Sequence, residues 1–90
     1  LKSGRSRAIG PFRLQYRANG LDHVRLAQIV PKRMAKRAVD RNRLRRLVRE
    51  RFRLDQARWA GFDCVLRLRS PYDRALDHGA LARQLIEPGP

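Results

Sequence analysis

The chain has 90 residues and a formal net charge of +14, from 22 lysines and arginines against 8 acids. That length supports one small core, and a hydrophobic fraction of 42% is enough to fill it, so the charge does not mark a wholly disordered chain. A single cysteine, Cys64, excludes an internal disulfide framework, no Cys/His cluster has zinc spacing, and no apolar run reaches the roughly 18 residues of a membrane span.

Polyanions, nucleic acid foremost, are the partners such a charge attracts. The lone thiol fits a reducing, cytoplasmic location, and the first residues lack the apolar core of a signal peptide. No second domain is expected: residues 1–90 read as one unit, with 1–10 (LKSGRSRAIG) a flexible basic lead-in that lacks periodicity.

Phe12, Leu14 and Tyr16 then alternate with Arg13, Gln15 and Arg17, the period of a half-buried strand. Asn19-Gly20 is a turn dipeptide, and a second alternating run, Val24 to Val30, follows it. The two runs are expected to pair as an antiparallel hairpin that Pro31 ends, because proline has no N–H to give a ladder. Lys32 to Arg37 is a basic connector. A helix follows from Ala38 to about Gln56 or Arg58, with Asp40 near its positive end. Gly61 stops it. Phe62, Cys64, Leu66 and Leu68 mark a third strand, and residues from Asp77 to Glu87 a last helix that turns Leu81, Leu85 and Ile86 inward before Pro88. This order predicts an α+β fold, an α/β sandwich whose small mixed sheet has three or four strands.

Seven of the sixteen residues from Ala38 to Arg53 are arginine. At about 100° per residue, Arg45, Arg49, Asn42, Arg53 and Arg46 share an arc of about 100°, with Arg41 just outside it. Leu44, Leu47 and Val48 lie opposite, Phe52 near the seam, and Arg51 on the apolar side, where its stem must carry the charge outward. Arg41, Arg45, Arg49 and Arg53 form a ladder of like charges at i, i+4. Each such pair costs a lone helix a few tenths of a kcal/mol, roughly, and only Glu50 offsets any of it. A bound polyanion removes the conflict, and the planar guanidinium fork suits phosphate. A helix set among strands, outside a helix-turn-helix, favours RNA over DNA.

The run KRAVDRNRLRRLVRERFR, preceded by VPKRMA, resembles the signature of the bacterial ribonuclease P protein subunit. The matching residues are Arg41-Asn42-Arg43, the pairs Arg45-Arg46 and Arg49-Glu50, and Lys32-Arg33 after the preceding strand. The likeness continues through LDQARWAGFDCVLRLR and covers roughly residues 4–87. It implies an α-β-β-β-α-β-α order with a left-handed crossover about the arginine helix. The periodicity finds one strand fewer, and a division of the Val24–Pro31 run is the expected place for it. The resemblance also implies a ribonucleoprotein that removes the 5′ leader of precursor tRNA, with its active site and Mg²⁺ carried mainly by the RNA subunit. Arg43, Arg46 and Arg49 would face that RNA, with Lys32, Arg33 and Arg53 extending the contact. Arg41, Asn42 and Arg45 would line the leader cleft together with Arg13 and Gln15, where Tyr16 could supply an aromatic. The family's opening helix has no counterpart in this sequence: either the start omits it or the protein is shortened, and a shortened form would leave Phe12, Leu14 or Val30 more exposed. No membrane and no protein partner is implied.

Other chemistry finds less support. His23 beside Asp22 and His78 beside Asp77 have no nucleophile or third partner in sequence, and there is no glycine-rich phosphate loop. Cys64 reads as a core thiol and Trp59 as a cap on the core, with RNA stacking as its alternative. A general RNA-binding module, ribosomal-protein-like or an RNA chaperone, shares the same electrostatics. A membrane-surface helix would need a wider apolar face centred on Trp or Phe.

Overall fold

Alternation along a strand sends one set of side chains to a core and the other to the surface. In the computed structural model, which describes residues 4–90, two strands obey this closely. Phe12, Leu14 and Tyr16 of one and Cys64, Leu66 and Leu68 of the other are all buried. The elements run β1 (Arg5–Ile9), β2 (Phe12–Ala18), β3 (Arg25–Ile29), α1 (Ala38–Leu54), β4 (Phe62–Leu68) and α2 (His78–Ile86). They form a four-stranded mixed sheet in the order β1-β2-β4-β3, an α+β fold. β4 is antiparallel to β2 and parallel to β3, while β1 is antiparallel to β2.

Three expectations are corrected. Residues 5–9 are not part of a loose lead-in but the edge strand β1; residues 1–3 lie outside the described residues. The fourth strand is therefore β1, not a divided Val24–Pro31 run. And β2 does not pair with β3, because β4 lies between them. Asn19 explains the last point. Its Nδ2 donates to Asp63 Oδ1 at 3.0 Å and to the His23 carbonyl at 3.2 Å, and its Oδ1 accepts from Leu21 N–H at 2.8 Å. Residues 19–24 thus make a loop that spans the width of β4 rather than a tight hairpin turn. At the tight turn that does exist, between β1 and β2, Gly10 has φ +57° and a Cβ there would meet Leu81 at 3.2 Å.

Arg7 shows how so polar an edge is anchored. Its Nη1 donates to the Leu85 carbonyl at 3.1 Å, and its Nη2 to the Gly89 carbonyl at 2.7 Å and the Tyr16 hydroxyl at 3.0 Å. The guanidinium also lies 5.1 Å from the Tyr16 ring centroid.

Both helices contribute to a single core with the inward side chains of the sheet. α1 inserts Leu44, Val48 and Phe52, and α2 inserts Ala82, Leu85 and Ile86. Phe52 is fully in the core rather than at the seam, completing an i, i+4, i+8 stripe. Arg51 is held by Asp55 at 2.8 Å at the end of α1. Trp59 is 0% exposed and donates Nε1–H to the Ile86 carbonyl at 2.8 Å, so it caps the core and is unavailable for stacking on RNA. Phe12, Leu14 and Val30, of which a shortened form is expected to leave one or more exposed, are 1%, 0% and 7% exposed, since they belong to the core that α1 and α2 close. Burial pushes the Cys64 thiol up to about 12.

Candidate nucleic-acid interface

α1 is amphipathic because its charges repeat at the same spacing as its apolar stripe, offset around the helix. Asn42, Arg43, Arg46, Arg49 and Arg53 are all exposed. Arg41 and Arg45 are half-buried at the flank. Arg37, at the N-cap, offers no side-chain oxygen. Instead Arg41 donates Nη1–H to the carbonyls of Ala35 and Lys36, each at 2.9 Å, tying the basic connector to the first turn. Arg45 lies on the β3 side, where its carbonyl accepts from Gln28 Nε2 at 3.1 Å. Arg43 lies on the other side, against the start of α2, lining a cavity with Leu47 and Gly79. Lys32 and Arg33 are exposed in the turn after β3.

Arg53 is paired with Glu50 through Nε at 3.1 Å and through Nη2. The hydrogen bond from Arg53 holds the Glu50 carboxyl below its ordinary range. Among the described residues, Arg43, Arg46 and Arg49 have no ion-pair partner. The charge repulsion along this face is therefore relieved by only one acid.

The other face of the sheet is covered by neither helix. It carries Arg13, Gln15 and Arg17 from β2, which pair with Arg67, Val65 and Asp63 of β4. Arg13 thus sits directly across from Arg67. Like charges in that position destabilise a sheet, as they do along α1. Arg17 and Arg67 join this surface although sequence reading did not select them; the signal was the β2–β4 register, which local periodicity does not contain. Arg13, Gln15, Arg5 and Ser6 line a small cleft of about 130 Å³. Asp63 is engaged by Arg25 at 2.7 Å, and that bond, with the one from Asn19, lowers its carboxyl to about 2.

The expected leader cleft is not one constellation. Arg13 and Gln15 stand on the open face, while Arg41, Asn42 and Arg45 stand on a helix packed against the opposite face. Tyr16 is buried on the helix side, edge-on to Trp59 at 5.1 Å, and cannot serve the open face. No helix among the described residues is long and apolar enough to cross a membrane.

These features define a class: a small α+β protein that fixes a cationic helix on one face of a mixed sheet and leaves a second cationic face uncovered. A family model described as Ribonuclease P matches residues 1–87, and the chain belongs to that family. The ribonuclease P protein component of Chromobacterium violaceum is 46% identical over 74 residues, covering 82% of this chain and 60% of that protein. That of Pseudomonas entomophila is 54% identical over 50 residues, 56% of this chain and 38% of the relative. The chain therefore spans less than two thirds of these relatives. Among solved structures, the RNase P protein of Thermotoga maritima superposes with a TM-score of 0.76 at 31% identity, over 97% of this chain and 84% of that one. The Staphylococcus aureus RNase P protein gives 0.80 at 27% identity, over 97% and 82%.

Proposed function

We propose that the chain acts as the protein component of a ribonuclease P particle, binding the catalytic RNA through α1 and the 5′ leader of precursor tRNA across the open sheet face. The observation that carries this reading is the exposed arc of α1, where Arg43, Arg46 and Arg49 have no ion-pair partner among the described residues and stand on a helix fixed by Leu44, Val48 and Phe52. Lys32 and Arg33 extend the contact beyond one end of the helix and Arg53 at the other. The leader runs over Arg13 and Gln15, with Arg17 and Arg67 beside them. Arg41, Asn42 and Arg45 meet RNA that passes round the β3 edge between the two faces.

In this reading the chemistry of leader removal belongs to the RNA and its Mg²⁺. Among the described residues no group of three or more His, Cys, Asp and Glu could hold a metal. Asp63, Asp55, Glu50 and Glu87 are each engaged by an arginine. The donor set does not fit a resident Mg²⁺, and no step is assigned to one on this chain. Its arginines neutralise phosphates, which tightens substrate binding and lowers the Mg²⁺ needed to hold the RNA folded.

Cleavage of precursor tRNA at low Mg²⁺ by a bacterial ribonuclease P RNA, with and without the chain, tests the proposal. Cleavage at the mature 5′ end only when both are present is expected. Tight RNA binding without any gain in cleavage would favour a general RNA-binding role.

A further inference from the structure

The connection from β4 to α2 has no part in the reading above, yet it holds an aromatic ring rigidly at the surface. Tyr72 is half-buried, and its ring stacks on that of His78 with centroids 4.8 Å apart and planes 8° apart. Its N–H donates to the Met34 carbonyl at 2.6 Å, and Met34 N–H in turn donates to the Pro31 carbonyl at 3.0 Å. His78 is itself 5% exposed, edge-on to Phe12, and its Nε2 is buried with no hydrogen-bond partner.

Two cavities of about 370 Å³ each meet at Tyr72. Both fall toward the lower end of the roughly 300–1,000 Å³ typical of small-molecule sites. One has an apolar floor of Met34, Ala35 and Pro71 beside Arg33, Lys36 and Arg37. The other is polar and lies at the start of α2, between Arg43 and Arg74. Among the described residues neither of these two arginines has an ion-pair partner. Of the acids nearby, Asp77 accepts from Ala80 N–H at 3.0 Å and Asp73 from Ala75 N–H at 2.9 Å, while Asp40 lines the apolar cavity together with Arg33, Lys36 and Arg37, which outnumber it. Burial first, and Arg43 second, keep the His78 pKa below its ordinary value.

We infer that this notch holds one nucleotide of a single-stranded RNA segment, its base over the apolar floor beside Tyr72 and its phosphate between Arg43 and Arg74. An apolar cavity alone would suit any small hydrophobe, and an arginine pair alone would suit free phosphate. A fixed aromatic joining the two is the combination that a base linked to a phosphate requires. Because Tyr72 is already ordered, binding loses little side-chain entropy there. Arg43 belongs to both surfaces, so a strand leaving α1 reaches the notch directly. The inference rests on α1 being an RNA-binding face.

The test uses the full chain, isotopically labelled, titrated with adenosine 5′-monophosphate and separately with inorganic phosphate, with side-chain NMR signals as readout. The nucleotide is expected to shift the Tyr72 ring, the Met34 methyl and the His78 ring saturably, whereas phosphate shifts His78 and leaves Met34 unmoved. Tyr72→Leu should weaken the nucleotide about tenfold and spare phosphate, since losing a base–aromatic stack costs about that much. Tyr72→Phe should retain binding. Arg74→Gln, at an exposed position, should weaken both ligands; unchanged nucleotide affinity in that variant overturns the proposal even if Tyr72→Leu fails to fold. Nucleotide shifts confined to Arg46 and Arg49 also overturn it while leaving the α1 reading intact. Conversely, wild-type affinity of Arg46→Gln for ribonuclease P RNA would sink the α1 reading whatever the notch does.

Discussion

Glu50 is the one acid on the exposed arc of α1, and it occupies Arg53 through two hydrogen bonds. Replacing it with glutamine keeps a good helix former and removes the competitor for that guanidinium. Both side chains are exposed, so the ion pair contributes little to folding stability. The freed Arg53 can then neutralise a phosphate. Each added contact raises the slope of log affinity against log salt by about 0.7 for a single strand or 0.9 for a duplex. Referred from 1 M to 0.15 M salt, that is about a four- to fivefold gain in affinity. Glu50→Gln is therefore expected to bind ribonuclease P RNA more tightly than wild type and with a steeper salt dependence. Fluorescence anisotropy at 0.1–0.5 M KCl and fixed Mg²⁺, magnitudes on the order of those used for counterion analysis, would measure both. In the Arg53→Gln background the gain should vanish. A gain of equal size there would show that Glu50 repels the RNA directly, and an unchanged slope in Glu50→Gln would refute the reasoning altogether.

Trp59→Phe should destabilise the chain by about 1–3 kcal/mol, combining a core void with the loss of one of the two hydrogen bonds to the Ile86 carbonyl, which keeps the one from Gly89 N–H; urea unfolding followed by circular dichroism measures it. Asp63 has a lowered folded pKa, so its link to Arg25 and Asn19 stabilises the fold fully above the ordinary value of 3.8 and is lost as pH falls toward about 2. The stability difference between wild type and Asp63→Asn should accordingly stay level from about pH 7 to 5 and shrink below about pH 4, the window this linkage sets. Cys64, buried with its thiol raised to about 12, should react with a thiol-specific disulfide reagent at pH 8 only as fast as the chain opens, on the order of global unfolding. Reaction of the native protein at the rate of a free thiol would contradict its placement in the core.

Local periodicity carried most of the elements. The alternation at Phe12–Tyr16 and Phe62–Leu68 and the stripe at Leu44, Val48 and Phe52 each express one buried face, which a short window can display. β1 escaped notice because Arg5-Ser6-Arg7-Ala8-Ile9 holds few apolar residues. Its inward position is filled by Arg7, whose charge is satisfied by carbonyls of Leu85 and Gly89 far along the chain. Strand partners escaped for a related reason. Asn19-Gly20 has the chemistry of a tight turn, but Asn19 spends its amide on Asp63, a residue 44 positions away. The cationic face of α1 was legible from its own spacing, whereas the Arg13–Arg67 pairing and the Tyr72 notch arise only when distant segments meet.

The place of β4 in the sheet also sets an order of assembly. β1 and β2 are joined by a tight turn and can associate as soon as they exist. Among the described residues β3 has no hydrogen-bonded neighbour strand other than β4, which comes after all seventeen residues of α1. Until that last strand arrives, β3 cannot join the sheet, and α1 must persist with its repelling arginines and no completed surface to dock on. Contacts so distant in sequence slow folding. Any polyanion present during synthesis would quiet the repulsion while the chain waits, so the same arginines that form the exposed face of α1 in the finished protein bear on how readily that protein is made.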